Sequence, residues 1–213
     1  MLLRKEFVLS QTATFLNLLP FKGSKMGLPS KENKLLELFF NYPSKHWHFS
    51  ELSEKTGLAD SKLNKWLKRF MKEKLILRKK PEKKMPHYIS NYSHPHYQNK
   101  KKLFAMAKLY ESGLLDHLNS LQKPKVVIIF GSFVHWDWND QSDVDLFIYG
   151  DDSELAPWDC ERKLGRELQI FVCKDEAELK GFGPGLIRNI LEGRIISGQI
   201  PFEVFKYAAR KNP

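Results

Sequence analysis

Val126-Val127-Ile128-Ile129-Phe130 runs into Gly131-Ser132, and ten residues later a second apolar run, Asp143-Val144-Asp145-Leu146-Phe147-Ile148, opens on two carboxylates. The pattern predicts a strand ending in Gly-Ser, a polar loop or short helix, and a second strand that carries the acidic pair. Side chains at i and i+2 of a strand share a face, so Asp143 and Asp145 converge. Two converging carboxylates repel each other unless a cation lies between them. Oxygen-only ligands of this kind suit Mg²⁺ (or Mn²⁺), which takes one or two carboxylates and completes its shell with waters and phosphates. Gly131 lets the backbone approach a phosphate closely, with Ser132 and the N–H groups of a following helix beside it. The combination predicts a site for a metal and a nucleoside triphosphate, with Gly131, Ser132 and Ser142 as the nucleotide-binding residues.

Asp-x-Asp alone, or Gly-Ser alone, is common in turns. The ordered set of strand, Gly-Ser, ten-residue gap and strand-borne Asp pair is more specific. From about Lys125 to Gly198 it resembles the DNA polymerase β-like nucleotidyltransferases, in particular the minimal nucleotidyltransferases. The resemblance implies that Gly131 and Ser132 hold the nucleotide phosphates and that Asp143 and Asp145 hold the metal. It implies an NTP substrate, with ATP favoured.

Two positions depart from that family's pattern. An Ala-Arg-Gly run commonly follows the Gly-Ser, whereas here the residues are Val134-His135-Trp136. A histidine near its reference pKa is only partly charged at neutral pH, so it gives phosphate less electrostatic help than arginine. The family's third carboxylate, on a later strand, aligns with Gln169 in Glu167-Leu168-Gln169-Ile170-Phe171-Val172. Glutamine cannot act as a base. Glu167 lies two residues earlier on the same face and is the candidate replacement; a solvated charge at a strand start is its other reading.

Upstream, the chain carries a different message. Leu35, Leu36, Leu38, Phe39 and Phe40 predict an amphipathic helix stopping near Pro43. Ser50 is placed to cap a helix over 51–56, closed by Gly57. Asp60 or Ser61 is placed to cap a third, with Leu63, Leu67, Phe70 and Met71 at helical spacing. Leu75-Ile76-Leu77, a lysine-rich turn and His87-Tyr88-Ile89 predict a hairpin. This order resembles the winged helix-turn-helix of archaeal and bacterial regulators. Residues 31–102 hold 18 Lys/Arg against 7 Asp/Glu, a net of +11 beside +10 for the whole chain. Lys62, Lys65, Arg69 and Lys72 fall off the apolar face of the third helix. Arg78, Lys79, Lys80, Lys83 and Lys84 cluster in the hairpin. In a winged helix such residues meet the groove and phosphates of duplex DNA.

The fold class expected is therefore α+β: an N-terminal winged helix-turn-helix and a small mixed-sheet nucleotidyltransferase domain. The expected division is an extension at 1–28, the winged helix at 29–92, a connecting helix within 93–122 and the nucleotidyltransferase-like domain at 123–213. The connecting helix is predicted over Lys101 to Leu121, after a loop holding His94 and His96. A last helical stripe is formed by Leu186, Ile187, Ile190 and Leu191. Cys160 and Cys173 form no disulfide framework and have no metal-ligand spacing. Apolar runs fall short of a membrane span and no signal-peptide pattern is present, which predicts a cytoplasmic protein. Met26 is an alternative start to Met1.

Three functions fit this reading. The first is an enzyme transferring NMP from an NTP to a protein, RNA or small-molecule hydroxyl. The second is a DNA-bound regulator whose nucleotidyltransferase fold senses a nucleotide without turnover. The third is an antitoxin-like protein acting by binding a toxin. A homodimer is a further expected partner state.

Overall fold

The computed structural model describes residues 31–200; the extension at 1–28, the two candidate starts and the chain after residue 200 lie outside the described residues. Helices α1 (Lys31–Asn41), α2 (Phe49–Thr56) and α3 (Asp60–Lys72) come first. Their apolar positions recur at three- and four-residue spacing, so each helix has one greasy stripe. Leu35, Phe39 and Phe40 of α1, Leu52 of α2, and Leu63, Leu67 and Phe70 of α3 meet in a shared core. Strands β1 (Ile76–Lys79) and β2 (His87–Ser90) then pair as an antiparallel hairpin. Trp47 adds one rung to it, exchanging backbone hydrogen bonds with Tyr88 at 2.9 and 2.8 Å.

The helix starts differ from expectation. α2 begins at Phe49 with Ser50 inside its first turn, and α3 follows Ala59 with Asp60 as its first residue. Asp60 acts from within the helix: its carboxylate sits at the positive end of the macrodipole and accepts the Ser53 hydroxyl at 3.4 Å.

The connector also differs. α4 runs Pro95–Glu111, starting well before Lys101. His94 caps it through Nδ1, which accepts the His96 N–H at 3.1 Å. Pro95 occupies the first turn, where a missing N–H is harmless. His94 and His96 therefore build a helix start instead of a loop. At Gly113 (φ 81°) the chain takes a left-handed step that ends one helix and starts α5 (Leu114–Ser120). The single helix expected up to Leu121 is thus two.

The sheet follows: β3 (Pro124–Phe130), β4 (Val144–Gly150), β5 (Leu168–Cys173) and β6 (Arg194–Gly198), in spatial order β5-β4-β3-β6. Only β4 and β5 are parallel, joined by a crossover containing α6 (Trp158–Leu164). Two further helices, α7 (Glu176–Leu179) and α8 (Pro184–Leu191), lie between β5 and β6. One sheet face carries Val127, Ile129, Val144, Leu146 and Ile148 and joins the core of α1 to α6. The opposite face carries Val126, Ile128, Phe130 and Phe147 against Leu179 and Ile190. The helical N-terminal unit and one side of the sheet therefore share a continuous apolar interior.

Lys101 of α4 lies inside that interior, 0% exposed, and its Nζ donates to the Trp138 carbonyl. The ammonium stands 4.5 Å from the Trp138 ring centroid. Burial disfavours the charged form and brings the Lys101 pKa down to about 7, against the opposing pull of Asp137. An unfolded lysine stays protonated to about pH 10.4. Between those values the unfolded chain binds more protons, so stability attributable to Lys101 rises with pH from about 7 to about 10. Below about pH 7 the charge is buried and its full penalty applies. Urea unfolding of wild type and Lys101→Met should therefore show wild type gaining stability relative to the variant across that window. A pH-independent difference would contradict the assignment.

Candidate functional site

The strand registers bring the sequence motifs together at one end of the sheet. Phe130 pairs with Asp145 across β3 and β4, and Asp145 pairs with Gln169 across β4 and β5. Paired residues project to the same face, so Phe130, Asp145 and Gln169 form a row. Asp143 precedes β4 by one residue and is exposed. Glu167, also exposed, precedes β5, and its carbonyl accepts the Val144 N–H at 3.0 Å. In this register Glu167 stands beside Asp143 as Gln169 stands beside Asp145.

Gly131 follows β3 directly at φ 75°. A Cβ on it would overlap the Asp145 carboxylate, with Cγ only 2.8 Å away. The site therefore requires glycine here for two reasons: L side chains avoid this backbone region, and the space belongs to Asp145. Ser132 begins a turn, and no helix forms between Gly131 and Asp143. The helix start expected to offer N–H groups is replaced by a loop. Its course is fixed by Phe133 and Trp138, both buried in the core, rather than by a one-sided helical stripe. Ser142 closes the turn before Asp143: its Oγ accepts the Asn139 N–H at 2.9 Å, while Asn139 Oδ1 accepts the Gln141 N–H at 2.8 Å.

The electrostatics suit a cation. Burial, and then the neighbouring charge of Asp143, hold the Asp145 pKa above the ordinary aspartate value. Among the described residues no three His, Cys, Asp or Glu side chains gather into an all-protein metal cage. Two carboxylates with open positions are the donor set Mg²⁺ uses when phosphates and waters supply the remaining ligands. The residues present fit the group.

This raised pKa has a consequence for stability. Its destabilising effect is absent below the ordinary aspartate range and complete above the raised value. Asp145→Asn should therefore stabilise the metal-free protein at neutral pH and lose any stabilisation by Mn²⁺. Thermal unfolding with and without Mn²⁺ checks both; a destabilised variant would contradict the geometry.

The basic residues divide into two groups. At about 100° per residue, Lys65, Lys68 and Lys72 lie opposite the Leu63, Leu67 and Phe70 stripe of α3, with Lys62 toward its edge. Lys68 was missed by spacing arguments, yet it is exposed on this face. Arg69 is exposed as well, and it is paired on this surface. Its guanidinium bonds Glu73 at 2.7 Å and Glu32 of α1 at 3.2 Å, and it lies by the Trp66 ring. Those carboxylates engage its guanidinium on the exposed helix surface. Lys79, Lys80, Lys83 and Lys84 are all exposed on or beside the hairpin turn, and Arg78 is exposed on β1.

Residues 114–198 match the family described as Polymerase beta, Nucleotidyltransferase. The match runs from α5 to β6 and contains the whole four-stranded sheet, Gly131-Ser132 and the Asp pair. No curated protein and no solved structure gives a match. This part of the chain carries a nucleotidyltransferase-type domain. No helix among the described residues is long and apolar enough to cross a membrane.

Proposed function

We propose that the chain transfers a nucleoside monophosphate from an NTP, with ATP favoured, to an acceptor hydroxyl and releases pyrophosphate. The observation that carries this reading is the packing of Gly131 against Asp145, which joins the Gly-Ser turn and the acidic pair in one place. Gly131 and Ser132 position the triphosphate, and Asp143 and Asp145 hold Mg²⁺ or Mn²⁺. Bound there, the metal would neutralise developing charge and align the attacking and leaving oxygens. The acceptor oxygen forms a bond to the α-phosphorus as the bond to the pyrophosphate oxygen breaks. The hydroxyl proton passes to Glu167 or to a base supplied by the acceptor. In the same proposal residues 29–92 are a winged helix-turn-helix binding duplex DNA through Lys62, Lys65, Lys68 and Lys72 on α3 and the hairpin lysines. Support comes from the order of three helices and a hairpin, the Trp47 rung, and the lysine face.

The test is equilibrium binding of a fluorescent ATP analogue with and without Mn²⁺. Wild type should bind only with the metal, and Asp143→Asn/Asp145→Asn should not bind while remaining folded. Metal-independent binding unchanged in the double variant would remove the site. A second reading is favoured by one observation: Gln169, which is no base, stands in register beside Asp145. In that reading the fold binds nucleotide without turnover and reports it to the DNA-binding unit.

A further inference from the structure

The loop that delivers Asp143 is built on the N-terminal unit as well as on its own sheet. Arg166, in the crossover before β5, donates through Nη1 to the carbonyls of Asn139, at 2.8 Å, and Ser142. Its Nη2 donates to Asn41 Oδ1 at 2.9 Å. Asn41 is the last residue of α1 and also accepts the Asp140 N–H through its backbone carbonyl at 3.1 Å. The guanidinium lies 5.0 Å from the ring centroids of both Phe133 and Trp138. Trp138 in turn packs on Phe40 of α1 and Phe104 of α4, and Trp136 meets Tyr92 with ring centroids 4.6 Å apart. One planar fork thus ties both ends of the Asn139–Ser142 turn to Asn41, which stands 125 residues from Arg166 in sequence.

From this arrangement we infer that Arg166, anchored by Asn41, is a positioning residue for the metal site. The N-terminal unit is then part of the nucleotidyltransferase scaffold rather than a module tethered to it. The inference rests on the proposed role of Asp143. Arg166 touches neither carboxylate among its hydrogen bonds; it acts by fixing Asn139 and Ser142, the turn from which Asp143 emerges. Lysine cannot replace it. An ammonium is a point charge on a flexible stem and does not reproduce a rigid fork reaching three oxygens in different directions. A role limited to placing positive charge in the interior would be met by lysine, so the Arg166→Lys variant separates positioning from charge.

The full chain is to be compared as wild type, Arg166→Lys, Arg166→Met and Asn41→Leu by two measurements. The first is amide hydrogen exchange over residues 138–143. The second is the Mn²⁺ concentration needed for half-maximal binding of the ATP analogue. Both Arg166 variants and Asn41→Leu should exchange roughly tenfold faster in that loop and need roughly tenfold more Mn²⁺, which corresponds to about 1.4 kcal/mol. Exchange in β3 and β4 should be unchanged. Wild-type values in Arg166→Lys, or in Asn41→Leu, would overturn the inference. If wild type binds no nucleotide at any Mn²⁺ concentration, the nucleotidyltransferase reading fails, and the exchange measurement alone decides whether Arg166 and Asn41 position the loop. A variant too unstable to purify is replaced by Asn41→Asp, which keeps the Oδ1 acceptor and should retain wild-type exchange; faster exchange there contradicts the bond.

Discussion

Gly131→Ala should reduce metal-dependent nucleotide affinity by tenfold or more. The backbone strain of an L residue in the left-handed region, roughly 1–2 kcal/mol, falls on folding stability; the loss of affinity comes from the site geometry, where about 1.4 kcal/mol is a factor of ten. The added methyl would also occupy the place of the Asp145 carboxylate, whose Cγ lies 2.8 Å from the Cβ position. Either the turn opens or the carboxylate rotates away from Asp143, and both separate the Gly-Ser turn from the carboxylate proposed to hold the metal. Thermal unfolding should show a loss of roughly 1–2 kcal/mol, while the ATP-analogue titration shows the larger functional effect. Wild-type affinity in Gly131→Ala would mean that nucleotide does not bind at this end of the sheet.

Neutralising the hairpin should have the second large effect. Lys79→Gln, Lys80→Gln, Lys83→Asn and Lys84→Gln together should weaken duplex DNA binding on the order of a hundredfold at low salt. The salt dependence should flatten as well, by up to about 0.9 in slope for each phosphate that is no longer neutralised. Asparagine is chosen at residue 83 because that position has φ 57°, which asparagine tolerates better than most residues. The weakening should be similar for unrelated duplex sequences, since phosphate contacts carry no base information. Lys68→Gln on α3 should weaken binding in the same direction, whereas Arg69→Gln should act chiefly on stability through Glu32 and Glu73. Unchanged duplex binding in the fourfold variant would reject the hairpin as a wing.

Much of the fold was legible from the chain. The stripes of α1 to α3, the hairpin and strands β3 to β5 are strongly patterned, and local chemistry marks the end of α2 at Gly57, a left-handed helix cap. The family resemblance singled out Gln169 as the third-carboxylate position, and the parallel register has that residue opposite Asp145. Other features depended on contacts that sequence does not display. β6 has little apolar alternation and forms because it finds β3. Of the loop and the short helix that the sequence leaves open after Gly131, the loop forms, because Phe133 and Trp138 enter the core from positions that share no helical face. Asn41 and Arg166 carried no motif at all. Their significance lies in a hydrogen bond across most of the chain, and no local pattern encodes that. The Arg69–Glu73 pair follows from i,i+4 spacing, whereas its second partner, Glu32 on α1, becomes visible only when the helices pack.

The most direct test of the central claim is label transfer from each α-³²P-labelled NTP in a crude cell extract with Mg²⁺ or Mn²⁺, comparing wild type with Asp143→Asn. The extract supplies an acceptor whose identity the site does not specify. The account predicts metal-dependent label on a macromolecule or metabolite with wild type, strongest with ATP, and none with Asp143→Asn. No label from any of the four nucleotides with the wild-type protein, or equal label with the variant, would contradict it.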